Sequence, residues 1–291
     1  MTETGSSVPR RQLGRHLRAA REGAALSLEA AARALEWSKA KMYRIEAGQV
    51  PLRTHDVIAM CSVYRCDAEL RDALLGLSAE AKARGWWHAY GDAIPTWFEL
   101  YVGLEAAASR LRKYESGFVP GLLQTPDYAT VVEAATPGRT PAEIDRLVEV
   151  RMERQQLLTR RVPPPIRLDV ILDEAVLRRP IADRAGMRAQ LSHLASLAEG
   201  PRTSIRVLPL AVGPHLASLA GNFVIMEFAS ASAGPVEPTT IYSENLTGAL
   251  YLDKPGEVAA YDAVWEALGG LALDPSASAD LISSIEEGFD A

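Results

Sequence analysis

Leu13, Leu17, Ala20 and Ala24 recur at helical spacing, with Arg11, Arg15, Arg18 and Arg21 between them, and predict an amphipathic first helix. Ser27 precedes the run Leu28-Glu29-Ala30-Ala31-Ala32 as an N-cap, and that second helix ends near Leu35-Glu36-Trp37. Ser38 caps a third short helix from Lys39 to Ala47, which Gly48 stops. Pro51 and Thr54 open a fourth helix through Val57, Ile58 and Cys61, and a fifth spans Asp67 to Arg84. The expectation is an all-α five-helix domain over residues 10–85, behind a flexible tail, residues 1–9.

Beyond residue 86 the pattern changes. Helices are predicted over 96–116, 126–134 and 141–161, the last with Ile144, Leu147, Val150 and Leu157 on its buried face and Pro163-Pro164-Pro165 at its end. Residues 166–172 then alternate like a strand. A helix over 187–197, strands over 204–208, 222–228, 239–242 and 249–252, and a helix over 258–268 follow. Helices first and strands later make residues 86–291 an α+β domain with an antiparallel or mixed sheet. Trp86, Trp87, Trp97, Phe98 and Tyr101 crowd the start of this domain, as a hydrophobic joint or as a ligand cage.

Leu26 to Gly48 has the parts of a helix-turn-helix. Ala31 and Ala32 are small enough for a second helix to pack closely, residues 35–37 make the turn, and Met42 and Ile45 anchor one face of the second helix. The other face presents Lys39, Ala40, Lys41 and Arg44. In this geometry the N-terminal half of the second helix enters a major groove. Lysine and arginine donate to guanine, and Ala40 suits a thymine methyl. Arg10, Arg11 and Arg15 near the start of helix 1, and Arg53 with Thr54 at the start of helix 4, suit phosphates.

Charge agrees only when it is divided along the chain. Residues 1–65 hold 11 Lys+Arg against 6 Asp+Glu, a net +5, while the rest holds 20 against 31, a net −11, within a whole-chain −6. A basic head on an acidic body fits double-stranded DNA as a partner of the head alone. No apolar run approaches the ~20 residues of a membrane helix, and residues 1–11 lack the apolar core of a signal peptide. Cys61 and Cys66 lack a second pair to complete a metal site and suit reduced thiols in a cytoplasmic protein.

Leu26-Ser27, Ala32, Leu35, Ser38 and Arg44-Ile45-Glu46-Ala47-Gly48 together resemble the xenobiotic-response-element type of helix-turn-helix, over residues 10–66. The resemblance implies a structural pair between Arg21 and Glu46. Two positions depart from it: Leu28 stands where glutamine often supports DNA contact, and Glu36 stands where the turn commonly has glycine. Glu36 then makes a looser turn or takes a left-handed conformation. Further along come Val119-Pro120-Gly121-Leu122-Leu123-Gln124-Thr125-Pro126, Arg151 with Arg154-Gln155, Asp173-Glu174 through Pro180, Gln190-Leu191 with His193, Arg206 to Leu210 with Gly213 and His215, and Gly221 with Phe223. These strings resemble the domain of unknown function that follows such a helix-turn-helix in actinobacterial WhiJ-like regulators. That resemblance implies a small acidic partner protein in a toxin–antitoxin-like arrangement.

Catalytic signatures are missing. Asp173 and Glu174 are adjacent on a strand and point apart; His193 and His215 lack metal-ligand spacing; no nucleophile elbow or phosphate-cradling loop occurs. The expectation is a non-enzymatic, cofactor-free, homodimeric DNA-binding transcription regulator. The alternative is a protein-interaction module with weak DNA binding. Arg151 and Arg154 are expected to pair internally with Glu149 or Asp173.

Overall fold

A computed structural model of the chain describes residues 7–48, 50, 52–80, 96–161, 164–229, 237–246 and 248–289. The chain divides into two compact units. One comprises residues 1–89, 102–107 and 229–237; the other comprises 90–101, 108–228 and 238–291. The expected boundary at 85/86 lies outside the described residues.

The first unit is helical: α1 (Ser7–Gly23), α2 (Leu28–Ala34), α3 (Lys39–Glu46), α4 (Thr54–Tyr64) and α5 (Ala68–Glu80). α1 begins inside the stretch read as a tail. Leu13, Leu17, Ala31, Met42, Ile45, Val57, Met60 and Leu74 form its core. Three of its helices close on a non-glycine residue in the left-handed region, namely Ala25 (φ 55), Glu36 (φ 54) and Arg65 (φ 57). Each heads the paired bonds of a Schellman motif. After α2, for instance, Trp37 N–H donates to Ala32 O at 2.8 Å and Glu36 N–H to Arg33 O at 3.1 Å. Of the two conformations open to Glu36, the chain adopts the left-handed one.

The second unit is α+β around a six-stranded sheet of order β3-β2-β1-β4-β5-β6. Its strands are β1 (Arg110–Glu115), β2 (Arg167–Asp173), β3 (Thr203–Leu208), β4 (Phe223–Glu227), β5 (Thr240–Asn245) and β6 (Gly248–Leu252). β1, β2 and β3 run parallel, while β4, β5 and β6 continue antiparallel from β1. The sheet is therefore mixed. Its helices are α6 (Thr96–Ala107, shared between the units), α7 (Pro126–Ala134), α8 (Pro141–Arg154), α9 (Glu174–Arg178), α10 (Arg184–Ala198), α11 (Ala217–Ala220), α12 (Pro255–Leu271) and α13 (Pro275–Glu287).

One expectation fails at 96–116, which is not one helix: α6 stops at Ala107 and residues 110–115 are the inner strand β1. Its charges hid it. Arg110 reaches Asp169 at 2.6 Å, and Arg112 reaches Glu227 at 2.7 Å and Asp262 at 2.6 Å, so acids on β2, β4 and α12 neutralise a strand whose sequence reads as solvent-facing. Beside this network Tyr114, Ile171, Phe223, Ile225 and Ile241 pack with Val258, Tyr261, Val264, Trp265 and Leu268 of α12. Arg206 then closes the end of α12 by donating to the carbonyls of Gly269, Ala272 and Leu273.

α13 was not anticipated. It lies against α10 and along β3, where Leu273 N–H donates to Val207 O at 2.9 Å and Val207 N–H to Ser278 Oγ at 3.0 Å. The predicted 141–161 helix ends as an α-helix at Arg154 and tightens into a 3-10 turn, Gln155–Leu158.

Candidate nucleic-acid interface

α2 and α3 are built for exact placement. Ser27 Oγ accepts from Ala30 N–H at 3.1 Å, and Ser38 Oγ accepts from Lys41 N–H at 3.1 Å, so each helix starts at a side-chain cap. Met42 and Ile45 bury one side of α3. α1 crosses the far end of α3 so closely that a Cβ on Gly14 would lie 2.6 Å from Ile45 O and 2.7 Å from Glu46 O. Gly48 (φ +67) turns the chain out of α3; a Cβ there would lie 2.7 Å from Arg11 Cα.

Arg21 locks this crossing. Its Nε and Nη2 donate to the Glu46 carboxylate at 2.7 and 2.9 Å, and its Nη1 donates to Leu26 O at 2.7 Å. Both side chains are buried. The hydrogen bonds to Glu46 hold the guanidinium above its ordinary pKa despite burial. This pair faces inward and is not placed to touch a ligand.

The solvent side of α3 carries Lys39, Ala40 and Arg44 exposed and Lys41 half-buried. Lys39 Nζ meets Glu29 at 2.5 Å, with both side chains largely in water. Lys41 Nζ lies 3.5 Å from the Trp37 ring centre and 3.8 Å from Asp56 of α4, which ties the start of α3 to the start of α4. Arg44 Nε reaches Ala40 O at 3.4 Å, and no acid among the described residues pairs with it. Tyr43, 62 % exposed, stands beside Arg44 and belongs to the same surface. Sequence reasoning passed over it because an aromatic inside a short helix reads as core. The signal was the spacing: with Met42 and Ile45 inward, positions 39, 40, 43, 44 and 47 must face out.

The phosphate candidates separate into two groups. Arg53, Thr54 and His55 are exposed at the start of α4, where Arg53 N–H donates to Asp56 at 3.2 Å. The α1 arginines are less open. Arg10 is half-buried, and burial lowers its pKa. Arg11 and Arg15 both meet the buried carboxylate of Glu237, from a segment that groups with this unit. Those two guanidinium groups would have to leave an acid to reach a phosphate. Cys61 and Cys66 are free thiols, and burial pushes Cys61 up to about 12.

In the second unit the motif strings converge on structure. Gln124 Nε2 donates to Val119 O at 2.6 Å, Gln155 Nε2 to Gln124 O at 2.7 Å, and Gln190 Nε2 to Leu123 O at 2.7 Å. Arg151 joins Gln124 and Glu133, so its acid is on α7 and is neither Glu149 nor Asp173. Arg154 lies over the Phe98 and Tyr101 rings, each 5.3 Å away. Those rings stack at 5.2 Å, and Tyr101 meets Tyr242 at 4.2 Å. Trp86 and Trp87 lie outside the described residues. Among the described residues no cluster of His, Cys, Asp and Glu could hold a metal ion, and no helix is long and apolar enough to cross a membrane.

Two capped helices joined by a short turn, with cations on the outer face of the second, define a helix-turn-helix. The family described as a helix-turn-helix domain matches residues 12–74, which supports DNA binding by that segment. Domain of unknown function DUF5753 matches residues 98–284, and the chain belongs to that family. No curated protein and no solved structure matches the chain.

Proposed function

We propose that the chain is a sequence-specific transcription regulator of the xenobiotic-response-element type, acting in the cytoplasm on nucleoid DNA as a homodimer. The supporting observation is the outer face of α3: Lys39, Ala40, Tyr43 and Arg44 exposed on a helix capped by Ser38 and anchored by Met42 and Ile45. That face offers donors to base edges, and Arg53 and Thr54 at the start of α4 suit the adjoining phosphates. One such unit reads too few base pairs to select a promoter. Two, with recognition helices ~34 Å apart, read successive turns. The reading gives the DUF5753 domain pairing and control by a small acidic partner protein, as in WhiJ-like regulators, and assigns the chain no catalytic step.

Gel shifts on the DNA upstream of its own gene test this at several salt concentrations. Specific binding is expected to weaken steeply with salt, by roughly one counterion per phosphate contacted. Arg53→Ala should weaken all sequences alike and reduce the salt slope by about one. Binding that ignores sequence, together with tight capture of an acidic neighbour protein, would instead support the interaction-module reading.

A further inference from the structure

Gly213 (φ 71, ψ −149) and Gly221 (φ 69, ψ −165) bracket a segment between β3 and β4 and adopt a backbone region essentially reserved for glycine. Between them the backbone bonds are local: Ser218 N–H to His215 O at 3.0 Å, Leu219 N–H to Leu216 O at 3.1 Å, and Gly221 N–H to Ala217 O at 2.9 Å. Ala217, Ala220 and His215 fasten the segment to the rest of the domain, with Ala220 partly buried against the same cluster as Ala217. Ala217 is buried in the α12 cluster. His215, with its side chain 9 % exposed, sits edge-on to Tyr114 at 5.9 Å, with Nε2 4.0 Å from the Asp173 carboxylate. Its Nδ1 is buried and has no hydrogen-bond partner among the described residues. Leu216 and Leu219 point outward, Leu219 at 90 % exposure.

We propose that residues 213–221 form a strap that opens as one body about Gly213 and Gly221 while the sheet stays folded, with His215 as the latch that leaves Asp173 and Tyr114. The local bonds travel with the strap, and the exposed leucines lose nothing. The orphaned Nδ1 regains water, which offsets part of what Ala217, Ala220 and the imidazole face give up. Opening uncovers the ends of β1 and β2 where the strand order turns toward β4, the place at which open sheets with parallel strands receive small ligands. The strap gives the domain a second state for an effector to select.

Native-state hydrogen exchange on the full chain tests this. The amides of Ser218, Leu219 and Gly221 should exchange together, at least roughly tenfold faster than those of β2 and β4. Exchange in step with β4 overturns the strap. His215→Leu, which removes the orphaned atom, should slow the strap roughly tenfold and leave β4 unchanged; an unchanged or faster strap in the folded variant overturns the latch. A measurement on the unaltered chain covers failure of that variant to fold. Diethyl pyrocarbonate should modify His215 under native conditions, more slowly than the exposed His55 and faster than global unfolding allows. Modification only at the unfolding rate overturns the proposal.

Discussion

Arg44 and Arg112 show two uses of one side chain. Arg44 stands on a helix in water and, among the described residues, bonds only to a backbone carbonyl of its own helix at 3.4 Å. Arg112 lies in an inner strand, bonded to Glu227 at 2.7 Å and Asp262 at 2.6 Å. Charge left without an acid on a rigid element is available to a polyanion. Charge already matched by fixed carboxylates is consumed by the fold. The N-terminal unit contains both kinds, since Arg21 is spent on the buried Glu46 while Arg44 stands exposed with no acid beside it among the described residues.

That contrast can be broken experimentally. Glu46→Ala leaves the Arg21 guanidinium buried without its acid and should cost about 3–5 kcal/mol of stability. It should lower Tm and leave the ranking of DNA sequences unchanged at temperatures where the variant is folded. Arg112→Ala should cost less, about 2–3 kcal/mol, because Glu227 and Asp262 are partly exposed and can rehydrate. Its denaturation midpoint should fall while operator affinity per folded molecule holds. Arg44→Ala should do the reverse, losing about 1–3 kcal/mol of binding with preference relaxed at one base pair and Tm unmoved. Equal effects of Arg44→Ala and Arg112→Ala on both readouts would erase the distinction. The smallest change is a gain: Glu36→Gly relieves a left-handed non-glycine residue and should raise stability by about 1 kcal/mol, visible as a higher Tm with unaltered binding.

Most of the first unit could be read from the chain. Ser27, Ser38 and Gly48 are local stop and start signals, and the Met42–Ile45 spacing shows which side of α3 is buried. Other features depend on partners distant in sequence. β1 is written Arg-Leu-Arg-Lys-Tyr-Glu, and only acids far along the chain make it an inner strand. α13 carries Ser278 at a buried position because its hydroxyl accepts from Val207, so no full apolar stripe marks it. The parallel pairing of β1, β2 and β3 has no local signature. Glu237 gave no sign of meeting Arg11 and Arg15, more than two hundred residues earlier in the chain.

The contact of residues 273–278 with β3 governs how the protein tolerates shortening. β3 ends the sheet on one side, and the stretch leading into α13 occupies the polar backbone of Val207 along that margin. Cutting the chain after Ala272 would strip this cover and leave a bare strand ready to template another molecule. Fragments trimmed there should form insoluble assemblies even though the residues removed lie outside the helix-turn-helix segment 12–74.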